Sequence, residues 1–368
     1  MFVAWRDLRF ARGRFVLIGS VVALITLLVG FLAGLTGGLA SQNVSAVLGL
    51  PGDRLVLQQP SDGQPSFGES EIGREARIGW QTSAGVDRVV PVGIVQGRAA
   101  AGSGGTAGGS SAAAVGVALF GLPHGGDGDG VVAALAPDRD DAVGLSAAAA
   151  EQLGVRVGDR ISVTGTAYRV ASVGGDAWYS HTPVVAMTPD AWAAADRRLG
   201  GSGAPTLLAV SGSPDWDAVA TATHTSAATP LGSLTALETF RSEVGSLALM
   251  IAMLFGVSAL VVGAFFTVWT MQRAGDVAVL KALGASTASL VRDALGQALV
   301  VLVLGIGTGT ALVAVLGAVA GGTLPFLLSP LTTLVPGVAM ALLGLAGAAV
   351  ALRTVTAADP LTALGSNR

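Results

Sequence analysis

The chain contains no cysteine, a single lysine (Lys281), and only 12% charged residues over its 368 positions. Without cysteine it can form no disulfide, no thiolate zinc site and no cysteine-bound iron–sulfur cluster. Soluble domains carry about 25% charged residues, and the net charge of −3 lacks the basic excess of nucleic-acid-binding proteins. The composition therefore argues against a cytosolic enzyme, a disordered chain and a nucleic-acid binder. It favours a protein of the lipid bilayer.

The sequence also lacks the motifs of common enzymes. A phosphate-binding loop needs glycine directly before its lysine, but Lys281 follows Leu280. The three histidines, His124, His181 and His224, form no H-E-x-x-H motif, so a zinc hydrolase would have no ligand set. No serine lies in a G-x-S-x-G elbow. We therefore expect a chain without catalytic residues, metal site or intrinsic cofactor; ATP hydrolysis, with its ATP and magnesium, would belong to a partner chain.

Four uncharged runs are long enough to cross a membrane, which takes about 20 apolar residues. They are Phe15–Ala40, Val244–Met271, Gly296–Leu328 and Ser329–Leu352. Because the first run is near 25 residues, longer than the apolar core of a signal peptide, we interpret it as an uncleaved anchor. The predicted organisation is a cytoplasmic N-terminus (1–14), a first span (15–40), an extracytoplasmic domain (41–243), a second span (244–271), a cytoplasmic loop (272–295), a third span (296–320), a short external loop (321–330), a fourth span (331–352) and a cytoplasmic tail (353–368).

The distribution of charge predicts the orientation in the membrane. Residues 1–14, 272–295 and 353–368 together hold nine basic and four acidic residues, whereas residues 41–243 hold 12 arginines and 20 acidic residues. Positively charged loops stay on the cytoplasmic side. We therefore predict a multi-pass protein of the plasma membrane with both termini in the cytoplasm.

The large segment between the first two spans is predicted to be an α+β domain. Arg160–Thr164 and Tyr168–Val173 alternate in polarity around Gly165, as in a β-hairpin. Helices are predicted at Ser146–Leu153 and at Pro189–Leu199, where Thr188 is the N-cap. Ala99–Gly116, almost wholly Ala, Gly and Ser, is predicted to be a flexible loop. From Thr235 a helical pattern precedes the second span and predicts a helical stalk.

The loop between the second and third spans is the most informative stretch. Its sequence predicts a short helix ending at Gly284 and a second helix capped by Ser286. The stretch Leu280–Ser286, preceded by an arginine and an acid and flanked by two spans, resembles the FtsX/MacB-type permeases of ATP-binding-cassette (ABC) systems. The Gly158-Asp159 passage that precedes two strands and the terminal Asp359–Leu364 stretch resemble the same family. Asp276 departs from the family pattern, in which glutamate is common at this position.

This resemblance implies a membrane subunit that works with a separate ATPase. The family layout is one span, a large external domain and three further spans. The resemblance also implies a permease homodimer, two copies of the ATPase and mechanotransmission, in which ATP-driven closure moves the stalk and the external domain. The loop helix would couple the permease to the ATPase through Asp276, Val279, Leu280, Lys281, Leu283 and Gly284.

A stripe of small residues lies along the first span. Gly30, Gly34 and Gly38 recur at every fourth position. Such spacing lets two membrane helices approach closely. The stripe predicts either packing against another span or a dimer contact.

The cargo is predicted to be amphipathic, because the four uncharged spans offer no hydrophilic path. The best candidate is haem, since the chain resembles the compact four-span haem-efflux permeases of this family in length and layout. Candidate substrate-binding residues near the outer ends of the first two spans and in the external domain are Gln42, Asn43, Arg74, Arg77, Glu238, Arg241 and Met250, with Tyr168, Tyr179 and His181 as further possibilities. Three alternatives stay open: an exporter of lipid, lipoprotein or antimicrobial peptide, a non-transporting relay that activates a cell-wall hydrolase, and a membrane-anchored receptor without any ATPase.

Overall fold

The computed structural model describes residues 12–102, 114–124, 130–272, 275, 279, 284, 286–321 and 324–356. The chain forms two compact units: a transmembrane unit of residues 1–39 and 245–368, and an external domain of Ala40–Val244. Each unit has its own core. The fold is a membrane α-helical protein with an α+β domain between the first and second spans, as the sequence predicts.

Among the described residues, four long helices are apolar enough to cross a membrane. They are α1 (Arg12–Leu48), α7 (Glu238–Gln272), α8 (Thr287–Ala320) and α9 (Pro330–Thr356). Ile18 and Val22 of α1 pack with Val262 of α7, Leu302 of α8 and Ala348 of α9, so all four helices share one core.

Each of these helices is longer than its predicted span. Helix α1 continues eight residues past Ala40, to Leu48. Helix α8 begins nine residues before Gly296, and the Oγ of Ser286 accepts a hydrogen bond from the Ser289 amide, which confirms the predicted cap. Helix α1 extends beyond its apolar run because Val44 and Val47 are buried in the core of the external domain.

In its described residues, the external domain contains one connected sheet of ten strands and five short α-helices. The strands are β1 (Arg54–Gln58), β2 (Val86–Ala101), β3 (Val115–Gly121), β4 (Ala142–Leu145), β5 (Arg160–Val163), β6 (Thr166–Val173), β7 (Trp178–Tyr179), β8 (Thr182–Met187), β9 (Leu207–Gly212) and β10 (Thr225–Ala228). The helices are α2 (Arg74–Thr82), α3 (Ala147–Leu153), α4 (Pro189–Arg198), α5 (Trp216–Ala222) and α6 (Pro230–Ser233).

The long strand β2 joins two parts of this sheet. Its first half pairs with β9, in the order β10-β1-β9-β2. Its second half pairs with β3 on one side and, at Ala99–Ala101, with β5 on the other, which closes a ring of β2, β3, β8, β4, β6 and β5. The predicted loop at Ala99–Gly116 is therefore wrong at both ends, since Ala99–Ala101 and Val115–Gly116 are strand residues. Residues 103–113 lie outside the described part of the chain.

Several local predictions are confirmed. The hairpin pairs β5 with β6 across Thr164 and Gly165. Thr188 caps α4 with Pro189 as the first helical residue, and Ser146 caps α3. The helix before the second span begins at Glu238 rather than at Thr235, because a 3-10 turn at Leu234–Ala236 precedes it; its role as a stalk stays a prediction.

Ser146 is expected to stabilise the external domain more than an exposed cap does. Its Oγ is buried and accepts hydrogen bonds from the amides of Ala149, in α3, and Val184, in β8. Ser146→Ala should cost about 1–2 kcal/mol of unfolding free energy, visible as a lower melting temperature of the full chain in detergent. Asp215→Ala removes the exposed cap of α5 and serves as the control. An equal loss in both variants would contradict the double role of Ser146.

Candidate functional site

The end of α1 and the start of α7 belong to the external domain and pack against its core. Val44 and Val47, near the end of α1, are buried in the same hydrophobic core as Leu237, the residue before α7. Phe240, in the first turn of α7, packs against this core. Both helices that lead to the membrane are thus anchored in the body of the domain rather than joined to it by loops.

A tight turn between β7 and β8 contacts α1. Its two central residues, Ser180 and His181, have positive φ angles of 48° and 62°. Two-residue hairpins with positive φ at both positions favour Asn-Gly, so this Ser-His turn is strained and needs support from its surroundings. The support comes from α1, because the Ser180 amide donates to the Asn43 carbonyl (3.0 Å) and the His181 amide to the Gln42 carbonyl (3.1 Å).

Side chains extend this contact to α7. Asn43 is fully buried, its Nδ2 donates to Glu243 Oε2 at 3.2 Å, and its Oδ1 accepts from Thr239 Oγ1 at 3.0 Å. His181 Nε2 lies 2.8 Å from Glu243 Oε1, and the hydroxyls of Ser180 and Thr239 are 3.3 Å apart. We call Asn43, Ser180, His181, Thr239 and Glu243 the polar cluster. It ties α1, α7 and the β7–β8 turn together.

The members of the polar cluster differ in how much stability they can contribute. The His181 and Glu243 side chains are 32% and 39% exposed, and exposed ion pairs contribute only about 0–1 kcal/mol. Asn43 is buried, so its loss would leave polar groups without a partner at a cost of about 1–3 kcal/mol. The buried side-chain amide of Asn43 therefore contributes more to stability than the exposed pair of His181 and Glu243.

Tyr179, beside the turn, is a packing residue. Its ring stacks edge-on against Phe120, with centroids 5.7 Å apart. Burial raises the pKa of the Tyr179 phenol above its ordinary value, because the charged form is disfavoured away from water. The phenol therefore stays neutral and supports the turn from the core side.

The predicted substrate-binding residues fall into separate groups. Gln42 and Asn43 lie at the polar cluster, where the main-chain carbonyl of Gln42 accepts a hydrogen bond. Glu238 and Arg241 are exposed in the first turn of α7. Met250 is exposed farther along α7, in the transmembrane unit.

Arg74 and Arg77 do not join the cluster. Both lie on α2, which packs against β2 and α5. Tyr168 is buried in the core of the closed ring, and its hydroxyl accepts a hydrogen bond from Arg198 at 3.3 Å.

Three members of the polar cluster were not among the sequence candidates: Ser180, Thr239 and Glu243. The spacing of Thr239 and Glu243 places them on one face of a helix, directly before the uncharged second span. This spacing is the feature of the sequence from which Thr239 and Glu243 could have been predicted as neighbours on a helix. A cluster of three or more metal-ligating side chains is absent from the residues that the structure describes.

The glycine stripe of α1 packs within the same chain. A Cβ on Gly30 would lie 2.8 Å from Val313 of α8, and Cβ atoms on Gly34 and Gly38 would overlap the ring of Phe326 and the carbonyl of Pro325. The Gly34 carbonyl also accepts a hydrogen bond from the Leu327 amide at 3.0 Å. These contacts show span packing; a dimer contact through the same glycines stays a prediction.

Two residues of the predicted coupling element are described. Val279 is helical and 59% exposed, and Gly284 lies in a turn with a φ of 94°. Asp276, Leu280, Lys281 and Leu283 lie outside the described residues, as does the Asp359–Leu364 stretch. Their role stays a prediction.

Comparison with known protein families gives a match over the part of the chain that contains the last three long helices. Residues 248–360 match the family described as FtsX-like permease C-terminal. This part of the chain is an FtsX-like permease domain.

Full-length relatives agree with that assignment. A putative hemin transport system permease protein HrtB of Staphylococcus haemolyticus is 22% identical over 99% of both chains. An uncharacterized ABC transporter permease of Mycobacterium tuberculosis is 26% identical, again over 99% of both chains. The chain thus contains an FtsX-like permease domain, its full-length relatives are named as permeases, and its apolar helices mark it as a membrane protein.

Two solved structures match this chain at a low level. The extracellular domain of the transporter YknZ from Gram-positive bacteria is 14% identical, with a TM-score of 0.30, over 46% of this chain and 87% of that one. The periplasmic region of MacB from Actinobacillus actinomycetemcomitans is 10% identical, with a TM-score of 0.33, over 50% of this chain and 92% of that one.

Proposed function

We propose that this permease expels haem from the membrane, driven by a separate ABC ATPase. The observation that carries the proposal is the match, over nearly the whole of both chains, to permeases named for hemin transport. The four uncharged spans favour the same class of cargo. Haem combines a large apolar ring with two propionates, so it partitions into the membrane and still needs charged partners at the surface.

The anchoring of α1 and α7 supports mechanotransmission as the mode of action. Helices that end inside a packed core transmit a displacement to it, because close-packed interiors deform little. The polar cluster ties both helices to the β7–β8 turn. In this proposal, closure of two ATPases on a permease homodimer moves α1 and α7, and the external domain follows.

Residues at the start of α7 are the proposed contacts for haem. Arg241 and Glu238 are exposed there, so the guanidinium is available to a propionate by a charge-assisted hydrogen bond. His181 adds an imidazole, with its Nε2 already paired to Glu243. A histidine oriented in this way by a carboxylate is a typical iron ligand through its other nitrogen.

Haem binding by the purified chain is expected to depend on Arg241. Loss of one charge-assisted hydrogen bond costs about 1.5–3 kcal/mol, so Arg241→Ala should weaken haem binding roughly 10- to 100-fold. Titration of the chain in mild detergent, followed by the Soret band, measures this. Arg156→Ala removes an exposed arginine of the β5 side of the domain and is the control.

Two outcomes would count against haem as the cargo. One is a wild-type chain without a Soret band after haem is added. The other is an Arg156→Ala variant as impaired as Arg241→Ala. An ATPase stimulated by a lipid or a peptide, in a chain that does not bind haem, would instead favour the alternative cargo.

A further inference from the structure

Helices α1 and α8 meet directly at small residues. A Cβ on Gly309 of α8 would lie 2.7 Å from the Cβ of Thr26 of α1. One turn farther along both helices, a Cβ on Gly30 of α1 would lie 2.8 Å from Val313 of α8. Because each helix advances by four residues between these contacts, the two helices stay in register over the two turns.

The next turn departs from this series. Four residues after the previous contact, the register reaches Gly34 of α1 and Gly317 of α8, and both glycines are buried. Facing glycines allow membrane helices to approach closely, yet here they enclose the ring of Phe326, which a Cβ on either glycine would overlap. Since carbon atoms pack about 3.5–4 Å apart, the ring keeps the two helices apart at this turn.

Phe326 belongs to the segment that connects α8 with α9. Beside the ring, the Leu327 amide donates to the Gly34 carbonyl at 3.0 Å, and the Leu327 carbonyl accepts a hydrogen bond from Thr332 Oγ1 at 2.8 Å. The leucines of the segment are 47%, 41% and 47% exposed: Leu324, Leu327 and Leu328. The ring is therefore the part of the segment that is inserted between the helices, whereas the neighbouring side chains lie at the surface.

We propose that residues 325–327 are a removable wedge, whose Phe326 ring holds α1 and α8 apart and whose withdrawal lets Gly34 and Gly317 meet. Withdrawal extends the direct helix contact by one turn, which replaces the contacts that the ring loses. Two packed arrangements of the same helices form the kind of bistable element on which conformational changes depend. Helix α1 runs unbroken to Leu48, so a change of tilt at Gly34 is carried along the helix and is not absorbed in a loop.

Distances between spin labels test whether the ring sets the helix spacing. The chain has no cysteine, so Leu35→Cys with Leu316→Cys gives one labelled pair, each label next to one of the two facing glycines. Pulsed EPR is recorded on the full chain in lipid nanodiscs, with an excess of unlabelled chain to dilute distances between copies. In Phe326→Ala we expect the mean distance to fall by about 3–4 Å, the thickness of the layer removed.

Two controls separate the wedge from a general loosening of the helices. Phe31→Ala removes a neighbouring ring, 5.0 Å from that of Phe326 between centroids, but this ring belongs to α1 itself, so the distance should not change. A second label pair, Leu24→Cys with Leu304→Cys, lies on the parts of α1 and α8 that precede the facing glycines and should keep its distance in Phe326→Ala.

Two results of the EPR measurement would overturn the proposal. An unchanged distance in Phe326→Ala, accompanied by a lower melting temperature, would mean that the ring only fills space in a fixed helix pair. An equal shortening in Phe31→Ala would mean that any lost ring lets the helices collapse.

A disulfide tests whether the wedge is withdrawn during transport, a step that rests on the proposed function. A Cβ on Gly37 would lie 3.5 Å from the Cβ of Leu327, and disulfides join Cβ atoms about 3.5–4.5 Å apart. The oxidised pair Gly37→Cys with Leu327→Cys therefore ties the segment to α1 with the Phe326 ring in place. We expect ATP-driven haem transfer by the complex to fall at least about tenfold on oxidation, because conformational steps can limit a cycle, and to recover on reduction.

The outcomes of this second test are distinguishable. Each cysteine variant alone, treated with the same oxidant, is the control and should transfer haem like the reduced pair. Unchanged transfer by the oxidised pair would contradict withdrawal of the wedge. A complete lack of transfer by the wild-type complex would count against haem as the cargo, whereas the label distances, measured without haem or ATP, would still decide whether Phe326 is a wedge.

Discussion

Replacing Gly38 by leucine is expected to prevent the transmembrane unit from folding. A Cβ at this position would overlap the main-chain carbonyl of Pro325, and main chain cannot rotate away as a side chain can. Over-packing typically costs about 1–3 kcal/mol, occasionally more, and a clash with backbone falls at the upper end. The expected result is little or no monodisperse protein in mild detergent, with a strongly lowered melting temperature.

Gly307→Leu is the matched control for this variant. Both glycines are in membrane helices, but a Cβ on Gly307 would have no neighbour within 4 Å. The control should accumulate and melt like the wild-type chain. If Gly38→Leu gave a folded chain that had only lost its ability to dimerise, the stripe would be a dimer contact and the packing against Pro325 would be wrong.

Replacing Asn43 by alanine is expected to uncouple ATP hydrolysis from haem release. Asn43 is the buried polar link between α1, Thr239 and Glu243, so its loss removes the hydrogen bonds between the end of α1 and the start of α7 and weakens their connection. Unfolding free energy should fall by about 1–3 kcal/mol, leaving a folded chain. ATP-driven haem transfer should fall at least about tenfold, while ATP hydrolysis by the complex continues.

Ser41→Ala is the control for the Asn43 variant, because it shortens a polar side chain two residues earlier on α1. Its haem transfer should equal that of the wild-type complex. An Asn43→Ala complex with unchanged transfer would show that the polar cluster is a structural contact without a part in coupling. Parallel loss of hydrolysis and transfer would place the defect at the ATPase rather than in the domain.

Local chemistry made much of the fold predictable. The spans follow from uncharged runs that are long enough for the bilayer. The caps at Ser146, Thr188 and Ser286 follow from side-chain oxygens that satisfy the first amides of a helix. In each case the residues that decide the structure are neighbours in sequence.

The end of α1 was not predictable in this way. Ser41, Gln42 and Asn43 follow the apolar run, and their polarity indicated the start of the external domain. The helix continues to Leu48 because Val44 and Val47 are buried in the core of that domain. Tertiary burial of one helix face thus overrides the local pattern.

Contacts between residues far apart in the sequence explain the other structural features that the sequence did not predict. Ala99–Ala101 have the composition of a loop, yet they form strand because β5 pairs with them. The polar cluster joins Asn43 to Glu243 across 200 positions, and His181 to Glu243 across 62. No single segment contains the signal for such contacts, so the sequence predicts Asn43 and His181 as candidates but not their partners Ser180, Thr239 and Glu243.

ATP-driven transfer of haem out of the membrane tests the central claim most directly. The permease, purified with its ATPase from the native host, is reconstituted in vesicles loaded with haem, and a soluble haem-binding acceptor is added on the side of the external domain. The account predicts that the Soret band of the loaded acceptor rises only with hydrolysable ATP, and at least about tenfold more slowly with Asn43→Ala. Continued ATP hydrolysis without any transfer of haem to the acceptor would contradict it.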